Sequence, residues 1–217
     1  MSFGIVRKAQ FAAATMLLVL VGACKIVSIE EDRAMRERRD GKADGGALVE
    51  RDWQSRLLPQ LAKSAVKLAE IWPAIARDPA AAGAAHGRQA AEGADWTFVV
   101  KGQGRLVSVD DRSRSGTVRV AVPGVGDVAI QTGPVLVSTA IRDALPSLRF
   151  DDFPDQMAFA AVNKALNAKA LETVTRNRGL LKVGSEVSFV GVMHMGEPGQ
   201  AAVIVPVALD ASAAQGG

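Results

Sequence analysis

Cysteine is nearly absent from this 217-residue chain. Cys24 is the only one, so no disulfide can form within the chain and no paired-thiol chemistry is open to it. Tyrosine is missing altogether, and histidine occurs only as His86 and His194, which leaves few side chains for acid–base or metal chemistry near neutral pH. An excess of one charge is lacking too. The formal net charge of +3 includes Arg7 and Lys8, and the rest of the chain carries 24 basic against 23 acidic side chains. A chain so balanced has no electrostatic footprint for nucleic acid. No serine stands in a G-x-S-x-G elbow, and there is no H-E-x-x-H and no phosphate-binding loop. Gly102-x-Gly104 lacks the third glycine and the following helix of a dinucleotide site. An enzyme is therefore not expected, nor a bound cofactor or metal.

Long apolar runs are also scarce, and the first, from Phe11 to Val21, is informative. It falls short of the roughly 20 residues that span a bilayer. A basic segment with Arg7 and Lys8 precedes it and small residues follow, which is the layout of a secretory signal. The segment Leu20-Val21-Gly22-Ala23-Cys24 resembles the lipobox of bacterial lipoproteins, with Val21 where leucine is commoner. That resemblance implies a diacylglyceryl group on Cys24, cleavage before it and acylation of the new N-terminus. Two or more acyl chains anchor a protein stably where one does so only marginally. The expected location is the periplasmic face of a bacterial membrane, inner or outer. Two other readings stand beside this one: an uncut membrane anchor over residues 1–21, or an incidental thiol.

The expected organisation is a signal peptide over 1–23, a lipid-anchored charged tether over 24–47, a helical segment over 48–95, a β domain over 96–209 and a disordered tail over 210–217. In the tether, Glu30–Asp44 is dense in both charge signs, with pairs four apart such as Asp32–Arg36. Trp53, Leu57, Leu61, Ala65, Leu68, Trp72 and Ile75 recur at spacings of three and four, one face of an amphipathic helix. Pro59 kinks that helix or starts a second one. From Trp96 the period changes to two. Thr97–Val109 reads as a long strand that Gly102 and Gly104 allow to curl and serve both halves of a barrel. Thr117–Val122 and Asp127–Gln131 are the next strands, and Thr139–Leu145 a short helix. A longer helix starts near Pro154, capped by Asp151 or Asp152, and Val183–Met195 and Ala201–Leu209 close the series. Three strands, a helical connection and two strands give an α+β fold: an N-terminal helical segment packed on an OB-fold-like five-stranded β-barrel, with a helix between strands 3 and 4. A looser α+β sandwich uses the same elements.

At residues 133–163 the chain reads GPVLVSTAIRDALPSLRFDDFPDQMAFAAVN, similar to a block in DUF2291, a family of predicted periplasmic lipoproteins of uncharacterised function. The resemblance runs from Cys24 to the IVPVAL stretch near the C-terminus. Val137, Ser138 and Asp155 depart from the family's pattern of a basic residue, Gly and Asn. The resemblance implies, by association only, an accessory role in sugar uptake, with carbohydrate or an ABC-transporter component as partner.

Thr139, Arg142, Asp143, Asp152, Gln156 and Asn163 are the candidate ligand-binding residues. Arg142 offers a planar fork suited to carboxylates or polar ligands. A purely structural alternative pairs Arg142 with a local carboxylate and uses the aspartates as helix caps. Met193-His194-Met195 has the donor types of a copper site, but alternation on a strand turns His194 away from both thioethers. The leading function is a non-catalytic binding or accessory module held to the membrane through Cys24. The alternative is a structural envelope protein that contacts only other proteins. A hydrolase built on the aspartates is a third reading.

Overall fold

The structure is a computed structural model that describes residues 29–40, 44–195 and 203–212. Cys24, the signal segment, the turn at 196–199 and residues 213–217 lie outside them. Contacts divide the chain into two units, 1–38 and 39–217. Helix α1, Ile29–Asp40, belongs mostly to the first. Glu30, Glu31 and Asp32 occupy its first turn, at the positive end of the helix dipole. Arg36 pairs with Asp32 at 2.9 Å, the pair expected from the spacing, and both are exposed, so its contribution is small.

The second unit opens with α2, Gly45–Asp52, capped by Asp44, whose Oδ1 accepts the Ala47 N–H at 2.9 Å. The helical segment thus begins a little before residue 48. A π-helical stretch, Trp53–Leu57, leads into α3, Leu58–Ser64, with Pro59 in its first turn. Pro59 thus stands where the second-helix reading puts it, at a helix start. The single amphipathic face expected through Ile75 is interrupted. Ala65 is extended (φ −71, ψ 120), and β1, Val66–Lys67, pairs in parallel with Val100 and Lys101. Helix α4, Leu68–Arg77, then resumes, followed by α5, Pro79–His86, and β2, Arg88–Gln89. The break has a packing cause: Trp53, Leu57 and Leu61 enter one core, while Leu68 and Ile71 enter another.

The sheet contains β3 (Trp96–Asp110), β4 (Thr117–Val122), β5 (Gly126–Gln131), β6 (Glu186–His194) and β7 (Val203–Ser212). With β1 and β2 it has seven strands. Strand β3 is shared as expected: Thr97–Arg105 pair with β6, Arg105–Asp110 with β4, and Arg105 faces both Ala121 and Glu186. At this handover only glycine fits at position 104, because a Cβ there would lie 2.1 Å from the Ala121 carbonyl oxygen. The path β3-β4-β5-β7-β6 returns to β3. The β5–β7 join is parallel, and among the described residues it pairs Ala129 with Val203 and Ile130 with Ile204. Strand β7 runs through Ser212, so Asp210–Ser212 are strand and not tail.

Between β5 and β6 lie α6 (Ala140–Asp143), a 3₁₀ turn at Phe150–Asp152 and α7 (Gln156–Asn177). The cap of α7 is Asp155, whose Oδ1 accepts the Ala158 N–H at 2.8 Å; it is neither Asp151 nor Asp152, and Pro154 precedes the helix. Alternation then separates two cores. Phe98, Val100, Leu106, Val120, Ile130 and Phe189 face inward, joined by Leu68 and Ile71 of α4 and Val174 of α7. Val99, Val192, Val205 and Val207 face outward and are covered by Trp53, Leu57 and Leu61 and by Val162 and Leu166 of α7. Each fully buried leucine or valine of this kind contributes about 1.5–3 kcal/mol.

Candidate functional site

Helix α6 carries two of the candidate residues, and a third, Thr139, immediately precedes it. Asp143 is nearly buried and Arg142 mostly so, with side-chain exposures of 10% and 20%. Arg142 donates from Nε and Nη2 to Asp143 Oδ1 at 2.9 and 2.7 Å. Its guanidinium carbon lies 4.5 Å from the centroid of the Phe159 ring on α7. An ion pair and a cation–π contact thus hold the fork from two sides. Phe159 is set in turn by Phe150, edge-on at 5.4 Å, and Phe153, tilted at 5.3 Å.

Thr139, at the N-terminus of α6, faces His194 at the end of β6. His194 Nε2 lies 3.2 Å from Thr139 Oγ1 and 3.8 Å from Asp143 Oδ2, and Nδ1 lies 3.0 Å from Oγ1 of the buried Thr97. A nucleophile–histidine–carboxylate relay needs the hydroxyl on one ring nitrogen and the carboxylate on the other. Only Thr97, on Nδ1 opposite Asp143, stands in that order, and it is buried at 2% exposure, away from any substrate; the arrangement braces β3, β6 and α6 together. Met193, on the opposite face, is buried in the inner core, and Met195 packs partly buried against it.

Beside α6 a cleft of about 830 Å³ opens, with Arg88, Arg142, Arg149, Phe150, Asp151 and Phe159 among its walls. Arg88 reaches it from β2 and donates through Nη1 to the backbone carbonyl of Asp143 in a short bond. Burial pushes the Arg88 guanidinium below its ordinary pKa; the negative charge of Asp143 opposes that and the positive charge of Arg149 adds to it. Arg149 lies on the rim, exposed, 3.9 Å from Asp151.

Thr139, Arg142 and Asp143 are thus brought together, and Arg142 and Asp143 line the cleft. Asp152 lies half-buried in the 3₁₀ turn, Gln156 is exposed at the start of α7, and Asn163 lies one turn beyond Phe159. None of these three is among the cleft's lining residues. The Asn163 Oδ1 is buried without a partner among the described residues. Sequence reasoning missed Arg149, Phe150 and Phe159, which flank or fall within the candidate block. It also missed His194, passed over as a copper ligand, and Arg88, for which no local signal existed. The Arg142–Asp143 pair and the Asp155 cap are also what the structural alternative requires.

A second, mostly apolar groove of about 590 Å³ lies on the outer sheet face, where Lys101, Gln103, Ser188, Val190, Ala208 and Asp210 meet. Among the described residues no group of three or more His, Cys, Asp or Glu is placed to hold a metal ion. No helix among them is long and apolar enough to cross a membrane.

An OB-fold protein from Thermotoga maritima is similar in structure, with a TM-score of 0.61 at 16% identity, covering 78% of this chain and 98% of that one. At that identity the likeness concerns the fold alone. No curated protein matches the chain in sequence. The DUF2291 profile, described as a predicted periplasmic lipoprotein, matches residues 14–210, from within the apolar leader through Cys24 to β7. Membrane anchoring and a periplasmic location, read above from Cys24, are what that description gives. The chain belongs to the DUF2291 family of predicted periplasmic lipoproteins.

Proposed function

We propose that this lipoprotein is a non-catalytic binding module that takes a small ligand in the cleft beside α6. The observation that carries the reading is the cleft itself, where Arg88, Arg142 and Arg149 stand beside the rings of Phe150 and Phe159. Preorganised donors beside aromatic surface are the usual makings of a small-molecule site, because little ordering remains to be done on binding. The strand circuit, read as an OB-like barrel, supplies the rigid frame. The burial of Thr97, the hydroxyl across the His194 ring from Asp143, favours binding over turnover. A saccharide, and with it an accessory role in sugar uptake, suits the pairing of aromatic faces with fork donors.

A thermal-shift screen of the full-length chain in detergent against sugars, sugar acids, carboxylates and divalent metals tests this. A ligand at about 100 times its Kd adds roughly 2.7 kcal/mol, which raises Tm by about 5–10 °C at this size. A reproducible shift from one chemical class, lost in Arg142→Ala, is the expected result. Silence across the library contradicts it. The groove on the outer sheet face favours the alternative, a structural envelope protein whose apolar surface meets another protein. In that case crosslinking at the membrane captures a partner through residues near Lys101, and no small molecule moves Tm.

A further inference from the structure

Two arginines compete for Asp143, and they are served unequally. Arg142 takes the carboxylate with two donors, whereas Arg88 receives only the backbone carbonyl, a neutral acceptor. Among the described residues no carboxylate forms an ion pair with Arg88. Arg88 lines the cleft with most of its five N–H donors uncommitted, open to a ligand oxygen in place of water. Arg149, lining the same cleft, adds a second positive charge near enough to disfavour the charge on Arg88. An anion between the two relieves the repulsion and satisfies the donors at once.

We infer that the cleft binds a singly charged carboxylate with a ring-sized body, such as a sugar acid, its carboxylate between Arg88 and Arg149 and its body against Phe150 and Phe159. This rests on the cleft being the binding site. The aromatic contribution comes from Phe150, which is 52% exposed and so has free surface beside its edge contact with Phe159. Arg149 is free to turn inward, because its ion pair with Asp151 is long and both partners are solvated, at 69% and 79% exposure. The charge preference follows from the rim. Glu92, Asp143 and Asp151 line the cleft with Arg88, Arg142 and Arg149, so the lining has no surplus positive charge to hold a doubly charged phosphate over a single carboxylate.

Calorimetric titration of the full-length chain in detergent with galacturonate, galactose and inorganic phosphate separates the possibilities, with Arg149→Gln as the variant. Arg149 is exposed, so the substitution leaves folding intact. The expected result is that galacturonate binds at least about tenfold more tightly than galactose, the loss of one charge-assisted pair. Arg149→Gln should weaken galacturonate about tenfold and so remove most of its advantage over galactose. Equal affinity for galactose and galacturonate overturns the anion assignment but leaves the cleft as a binding site. A preference for phosphate over galacturonate overturns the carboxylate assignment. No binding of any of the three overturns the inference, and silence of the wider library together with it removes the cleft reading as well.

Discussion

Single residues in this protein act mainly as fasteners. Asp44, Asp78 and Asp155 each cap a helix start through a backbone N–H, a role worth about 1 kcal/mol apiece. Asp52 ends α2 and receives Arg51 and Arg56. Its carboxyl is held below the ordinary range, first by the hydrogen bond from Arg51, with burial opposing and Arg56 adding. A depressed carboxylate contributes stability that is complete above its unfolded pKa and lost as pH falls through its folded one. Asp52→Asn is therefore expected to lower the urea midpoint at pH 7, with the gap to the parent protein closing below about pH 4, the ordinary aspartate range. A gap that stays constant down to pH 2 contradicts this assignment. At this scale the sequence was legible where a residue's partner is its neighbour. Arg142 and Asp143 are adjacent, and both stood among the candidates. Arg88 and His194 were invisible as site residues because their partners are distant in the chain, 55 positions for Arg88 and Asp143 and up to 97 for His194 and Thr97.

Among the elements, the strands were the easiest to read. One face of each meets the inner core, and the period of two is plain in β4, whereas in β3 and β7, where helices cover the other face, Thr97–Val100 and Ile204–Val207 are buried without a break. The helical spacing from Trp53 to Ile75 was misleading for a definite reason. Leu61, Ala65 and Leu68 keep spacings of four and three through a segment that is not helical, because the chain must cross from the outer core to the inner one. The join that closes the strand circuit is its shortest among the described residues. Strands β3 and β6 pair along Thr97–Arg105, whereas β5 and β7 meet over two residue pairs. Native-state hydrogen exchange is expected to find the amides of this seam, around Ile130 and Ile204, opening at lower free energy than those of Val99–Lys101 and Val190–Val192. Equal protection across both ladders runs against that view of the sheet.

For the molecule as a whole, its place in the cell was the most legible property, since Cys24 and the leader before it are a local signal that the family match includes. Cys24→Ala is expected to move the protein from the membrane fraction to the soluble fraction if cleavage still occurs at another site, or to leave an uncut precursor of higher mass. Mature-sized, membrane-bound protein in this variant counts against the lipid anchor. What the molecule does was less legible, because the cleft is assembled from β2, α6, the 3₁₀ turn and α7, which meet only in the folded chain. The most direct test of the account is amide exchange of the full-length chain with and without a pooled set of sugars and sugar acids at millimolar concentration. The account predicts slowed exchange within residues 88–92 and 139–151. Slowing confined to residues 101–103 and 188–190, on the outer sheet face, or no slowing anywhere, would contradict it.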